Sequence, residues 1–216
     1  MPTDLPSRLM DLRRSIMTMG AAVEQRVNQA VAALVDGDIE AASTVRRGDD
    51  EIDRMEMDIE QDCLLILALC QPVASDLRMV LAVLRMSGVL EHVGDKACNI
   101  AKRAIALHDH HNLKLPESLL SMAKASAAMF SDAMEALADH RVDLARRIRA
   151  SDERVDDLQR EVFAWVQSEI PRHVECTGAA IEVLSVARKL ERIGDLSTIV
   201  AEEVIFHVEG TILRHT

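Results

Sequence analysis

The chain has 216 residues, of which 49% are apolar and only 2% aromatic, and its formal net charge is -11. That length holds one large domain or two of about 100 residues, and a core built from Leu, Ile, Val, Ala and 11 Met is what helix-on-helix packing prefers. The acidic balance, with no basic stripe against it, excludes direct nucleic-acid binding, and the absence of an apolar leader or an uncharged apolar run of about 18 residues points to a cytoplasmic protein.

Few Gly and Pro interrupt the chain, and most Pro stand near helix boundaries, so long helices are expected over 5–35, 39–69, 74–108, 117–138, 142–168 and 174–209. The first segment carries Met17-Thr18-Met19-Gly20 and Val23-Glu24, and it ends at the turn cluster Asp36-Gly37-Asp38. The second places Asp49 and Asp53 four residues apart, and the line continues through Glu56 and Glu60. The third follows Gln71-Pro72-Val73-Ala74-Ser75-Asp76-Leu77-Arg78.

Two lines run along this third segment. Val83, Met86, Leu90, Val93, Ala97, Ile100, Ala104 and Leu107 recur at spacings of three and four, which makes them the core stripe. Leu77, Leu81, Leu84, Gly88, Glu91, Asp95 and Cys98 form the other, beginning with leucines and turning to carboxylates. Apolar residues on two sides of this helix and of the sixth predict dimerisation or docking through a helix face. His92 lies about 100° around the helix from Glu91 and is expected to face solvent.

The segment from His108 through His110, His111 and Asn112 to Pro116 reads as a polar linker in preference to a transition-metal site. In the fifth segment Asp152 and Asp156 repeat the spacing of Asp49 and Asp53, but Gln159 and Phe163 replace the acids that would continue the line. The basic run Arg146-Arg147-Ile148-Arg149 is read as pairing with nearby acids, and Trp165 as a core residue. The sixth segment repeats the third, with Glu191 and Asp195 following Ile181 and Leu184, and Arg188 in the place of Gly88. Cys63, Cys70, Cys98 and Cys176 lie at helical positions without a CxxC, so they are read as small apolar residues, not as disulfides or zinc ligands.

Sliding the sequence on itself explains the recurrence. At an offset of 103, Met19, Ala33, Leu34, Asp36, Asp49 and Asp53 fall on Met122, Ala136, Leu137, Asp139, Asp152 and Asp156. At an offset of 100, Leu90, Glu91, Gly94, Asp95 and Ala101 fall on Leu190, Glu191, Gly194, Asp195 and Ala201. The chain is therefore expected to be all-α, six long helices forming two tandem three-helix bundles about a pseudo-twofold axis, with residues 1–110 and 111–216 as the copies.

Like charges four apart destabilise an isolated helix by about 0.2–0.5 kcal/mol. A single pair is ordinarily a solvated face. Four pairs at equivalent places in two copies favour a shared cation site, with a solvated acidic surface or ion pairing to Arg188 or Arg192 as the other readings. Oxygen donors from facing helices suit Fe, Mn, Mg or Ca.

The runs Leu90-Glu91-His92-Val93-Gly94-Asp95 and Leu190-Glu191-Arg192-Ile193-Gly194-Asp195, with the segments at Met17–Glu24 and Gln71–Arg78, resemble the PhoU family over residues 8 to 209. The resemblance implies a six-helix protein, often a homodimer, that restrains phosphate uptake and phosphate-starvation signalling through a phosphate ABC transporter and its sensor histidine kinase, touching the membrane only peripherally through those partners. It also implies divalent or trivalent metal on the carboxylate face, up to a multinuclear Fe cluster, with Mn, Mg, Ca and Zn as alternatives. The metal residues are then Asp49, Asp53, Glu56, Glu91 and Asp95 in the first copy and Asp152, Asp156, Glu191 and Asp195 in the second. Cys176 and Gly178 stand where Asp76 and Arg78 stand in the first copy, a departure that bears on the second site.

The competing classes are a carboxylate-bridged metalloenzyme and a metal-free helical adaptor. No Glu-x-x-His for a ferritin-like di-iron site, no P-loop and no nucleophile elbow occurs, which speaks against an enzyme. His173-Val174-Glu175 has the deaminase H-x-E without its P-C-x-x-C partner. If 109–116 joins two bundles, limited proteolysis should cut there first; first cleavage within 83–107 would contradict the helix assignment.

Overall fold

The computed structural model describes residues 4–47, 49–108, 110 and 113–211, with the side chains of 46–49 outside that description. Its helices are α1 (Leu5–Val35), α2 (Ile39–Arg47), α3 (Asp49–Cys70), α4 (Ala74–His108), α5 (Glu117–Asp139), α6 (Val142–Glu169) and α7 (Thr177–Glu209), with a 3-10 turn, Val174–Cys176, leading into α7. Only Gly48, outside the described residues, stands between α2 and α3, and the two together occupy the one segment expected at 39–69. The bounds agree with the sequence reading to within a few residues. No strand occurs among the described residues.

Local chemistry sets the ends. Gly37 turns the chain after α1 at φ +71°, in the region where a Cβ is strained. Asp38 then caps α2, its Oδ1 accepting from the Ala41 N–H at 2.9 Å. His140 and Gly210 take left-handed conformations at the ends of α5 and α7.

Helices α1, α2, α3 and α4 form one bundle and α5, α6 and α7 the other, joined where α4 packs on α7 and α1 on α5. Both joints pair equivalent helices running antiparallel, which a twofold axis across the helices produces. In the first, Arg85 donates to Glu203 at 2.6 Å and Arg103 pairs with Glu182. In the second, Ser131 donates to Glu24 at 2.6 Å and Arg13 to the Ala138 carbonyl at 3.0 Å. Arg85 also lies 4.6 Å over the Phe206 ring.

All eight residues of the Val83–Leu107 stripe are buried, as are Met19, Met122 and Leu190. Among the cysteines, Cys63 and Cys98 are buried while Cys70 and Cys176 are half-buried, and all four are free thiols. Burial pushes the Cys63 thiol up to about 12, consistent with an inert packing residue. Trp165 packs half-buried against the core. Arg146 pairs with Glu209 at 2.9 Å and Arg149 with Glu202 at 3.5 Å, so these members of the basic run pair with acids.

The linker departs from expectation. His110 and Lys114 are exposed, but Leu113 and Leu115 pack against the core and Pro116 is buried, so part of the junction is anchored; residues 109, 111 and 112 lie outside the described residues. Of the third and sixth helices expected to show apolar residues on two sides, only the latter, α7, carries large exposed ones among the described residues. The most exposed lie on several elements. Among the described residues they are Met10 on α1, Met57, Leu64 and Leu69 on α3, Val73 in the turn that follows, Phe163 on α6, Val174 in the 3-10 turn and Ile181 on α7.

His140 and His207 meet with ring centroids 5.1 Å apart. Burial comes first in pushing both imidazoles below their usual 6.5; Arg13 adds to this for His140, and His140, Arg78 and Arg13 for His207, against an opposing pull from Asp139 on His140. Between the lowered folded value and 6.5 the unfolded chain binds more protons, so this contribution to stability is full above 6.5 and is lost as pH falls. Lowering pH from about 7.5 to about 5.5 should therefore reduce the melting temperature. A His140→Asn/His207→Gln variant should lose most of that slope in a thermal-melt series.

Candidate metal centre

The site begins with two glycines. A Cβ on Gly94 would stand 3.6 Å from Cγ2 of Ile52, and one on Gly194 would stand 3.3 Å from Oδ1 of Asp152 and 3.6 Å from Cγ1 of Val155. Ile52 and Val155 are equivalent under the repeat, so α3 crosses α4 as α6 crosses α7, with the glycine at the tight point. Antiparallel pairing at this crossing brings the acids of the E-x-x-G-D runs toward those of the D-x-x-x-D runs.

In the first half Glu91 and Asp95 are half-buried on α4 and Glu56 half-buried on α3, while Asp53 and Glu60 are exposed. The backbone of Asp49 starts α3, and its side chain lies outside the described residues. Oε1 of Glu56 comes close to Gly88, 3.4 Å from where a Cβ would stand. Burial, then the charges of Glu91, Glu60 and Asp53, pushes the Glu56 carboxyl above its usual 4.5, with His92 opposing. Glu56 is thus the point where the α3 and α4 acids feel one another.

The second half brings Asp152, Asp156, Glu191 and Asp195 together, all half-buried. Burial raises the Glu191 carboxyl above 4.5, followed by Asp195, Asp156 and Asp152, while Arg192 opposes. Gln159 occupies the place of Glu56 and Arg188 that of Gly88, and both line a groove with Phe163 and Leu184. The carboxylate at the centre of the first site is therefore missing from the second.

Cationic and amide neighbours partly compensate the acids. Lys96 reaches Asp95 Oδ2 at 2.9 Å, Asn99 donates to Asp95 Oδ1 at 3.1 Å, and Arg192 reaches Asp195 Oδ2 at 3.1 Å. His92, expected to point away, is exposed but turns its Nδ1 to Glu91 Oε2 at 2.6 Å. Lys96 and Asn99 went unread in the sequence; the i,i+4 spacing of Asn99 from Asp95 was the available signal for the latter. Among the described residues no three Asp, Glu, His or Cys side chains are grouped so as to hold a metal ion. What is assembled is a pair of acidic faces with hard oxygen donors on two helices each.

Because burial and then the neighbouring carboxylates raise the Glu191 carboxyl, its contribution to stability is present below 4.5 and lost as pH rises through the folded value. Glu191→Gln should therefore stabilise the chelator-treated protein at pH 7 by about 0.2–0.5 kcal/mol. Denaturant titration at acid pH should show that advantage vanish.

The PhoU domain family profile matches residues 16–104 and 119–204. A Pseudomonas aeruginosa protein named phosphate-specific transport system accessory protein PhoU homolog is 34% identical, over 97% of this chain and 87% of its own. The Escherichia coli phosphate-specific transport system accessory protein PhoU is 31% identical over the same shares. The crystal structure of PhoU from Pseudomonas aeruginosa superposes with a TM-score of 0.92 at 33% identity, covering 96% of this chain and all of that one. That of the phosphate transport system regulatory protein PhoU from Streptococcus pneumoniae superposes at 0.84 and 27% identity, covering 98% of this chain. Carrying the helices, the duplication and the paired acid runs along its whole length, this chain belongs to the PhoU family.

Proposed function

We propose that this protein is a non-enzymatic regulator of a phosphate-specific uptake system, working in the cytoplasm by docking on the phosphate ABC transporter and its sensor histidine kinase to restrain uptake and starvation signalling. The observation that carries it is similarity over 97% of the chain to proteins named as accessory to that system. None of the described helices is long and apolar enough to cross a membrane, in keeping with an accessory role. The exposed apolar residues on α3 and the turn after it, Leu64, Leu65, Leu69 and Val73, offer a surface for a partner or a second copy. The halves 1–110 and 111–216 act as the two repeats.

Metal binding belongs to the same reading. The donor set is all carboxylate, which suits hard cations, and the raised Glu56 and Glu191 carboxyls mark where bound positive charge would be most favourable. Asp49, Asp53, Glu56, Glu91 and Asp95 would hold it in the first half and Asp152, Asp156, Glu191 and Asp195 in the second. A cation there, whether Fe, Mn, Mg, Ca or Zn, supplies positive charge that cancels the repulsion and favours the folded state. The ion pairs from Lys96, His92 and Arg192 support the metal-free adaptor as the second reading.

Two measurements test this. Cells lacking the protein should take up phosphate without restraint in phosphate-rich medium and regain control with the wild-type gene; unchanged uptake would refute the regulatory assignment. Metal analysis of untagged protein purified without chelator should find cation, reduced by Glu91→Ala/Asp95→Ala. That variant should melt lower than wild type in metal-containing buffer, because a ligand of the folded state stabilises it. With metal removed it should match or exceed wild type, since repulsion is relieved and Ala favours the helix. The same change at Glu191 and Asp195 should act more weakly. Identical melts with and without each metal would leave the adaptor reading.

A further inference from the structure

Away from the acidic faces, where the amino-terminal end of α1 and the first turns of α4 meet the ends of α5 and α7, the helices leave a cavity of about 280 Å³. That is near the lower limit of the ~300–1,000 Å³ common for small-molecule clefts. Its walls are apolar and adaptable, with Ile16, Val83 and Leu137 beside Met17, Met79 and Met86. Thioether side chains reshape around a guest at low cost. Met10 and Arg13, both exposed, mark its solvent side.

The polar groups on this cavity are all nitrogen. Arg13, His140 and His207 line it, and Arg78 stands behind His207, its Nε 3.8 Å from where a Cβ on Gly210 would lie. Nδ1 of His140, Nδ1 of His207 and Nε of Arg78 are buried without a hydrogen-bond partner. Arg13 gives one bond to the Ala138 carbonyl at 3.0 Å and has no carboxylate partner among the described residues. Arg13 answers a carbonyl at the end of α5, but the ring nitrogens and the Arg78 Nε stay unsatisfied. Buried polar atoms without partners are rare enough to require a cause. In a chain of net charge -11, the Arg13 guanidinium and unpartnered imidazole and guanidinium nitrogens beside an apolar hollow are complementary to a planar anion carrying a short flexible hydrocarbon tail. A guanidinium fork matches the carboxylate in geometry as well as charge.

We propose that this cavity binds a medium-chain carboxylic acid, with the tail among Met17, Met79 and Met86 and the carboxylate received by Arg13 and the His140–His207 pair. The site involves no residue of the acidic faces and stands independently of the phosphate-regulator reading.

Octanoate is the probe, titrated into full-length protein labelled with ¹³C at the methionine methyls. Saturable shifts at Met17, Met79 and Met86 with one-to-one stoichiometry, and none at Met57 on the outside of α3, are expected. Arg13→Met and His207→Gln should each weaken binding roughly tenfold or more, as loss of a hydrogen bond to a charged group does. Octanol, equal in tail but uncharged, should bind at least about tenfold less tightly for the same reason. Ala82→Leu, which fills the hollow from α4, should abolish the shifts while the helical circular dichroism persists; if that variant does not fold, Leu9→Trp fills it from α1. Absence of a saturable shift up to millimolar octanoate, equal binding of octanol, or undiminished binding in a folded cavity-filling variant would overturn the proposal.

Discussion

The close crossing at Gly94 and Gly194 is the constraint on which the acidic faces depend. A side chain there would press on Ile52 in one half and on Asp152 and Val155 in the other, and relieving that pressure would move α3 from α4 or α6 from α7. The carboxylates of each E-x-x-G-D run lie within a turn of the glycine, so their separation from the acids of the neighbouring helix is set by this contact. Packed interiors do not deform gradually. The interhelix spacing is thus built into the backbone at one residue per half, with Leu90, Val93 and Ala97 and their counterparts Leu190, Ile193 and Ser197 buried around it.

What this geometry holds together resists being held. Glu56 in one half and Glu191 in the other carry raised carboxyls because burial and several neighbouring negative charges act in the same direction. Side chains on the same helices answer part of the charge: His92 and Lys96 on α4, Arg192 on α7. Exposed pairs of this kind contribute about 0–1 kcal/mol each, so they moderate the repulsion without removing it. The halves have also diverged. Where the first keeps a carboxylate at Glu56 over an open Gly88, the second has Gln159 and Arg188, exchanging an acidic centre for a basic edge. A duplicated scaffold thus carries two electrostatically different faces.

The halves are joined by like meeting like. α4 against α7 and α1 against α5 are antiparallel contacts between equivalent helices, and the ion pairs Arg85–Glu203 and Arg103–Glu182 sit on either side of the α4–α7 crossing. The face of Phe206 beneath the Arg85 guanidinium adds a cation–π contact to the first of these. At the far end of the same joint the packing is incomplete, and the methionine-lined hollow with its unpaired nitrogens lies there.

Helix number, helix bounds, the core stripe of α4 and the duplication were all legible in the amino-acid sequence, because periodicity, turn residues and self-similarity are local or linear properties. So were the acids themselves and the break in their line at Gln159 and Phe163. Partnership across space was not. That His92 turns back to Glu91, that Lys96 and Asn99 hold Asp95, and that Leu113 and Leu115 anchor the linker follow from rotamers and neighbours no spacing encodes. The meeting of His140 with His207 is the clearest case: the two stand at the end of α5 and on α7, burial and then the charges of Arg13 and Arg78 from the other half disfavour their protonation, and only the docking of four helix ends makes them neighbours. Sequence specified the helices and their charges, and tertiary packing decided which of those charges face one another, since contact distance depends on the crossing of helices and not on separation along the chain.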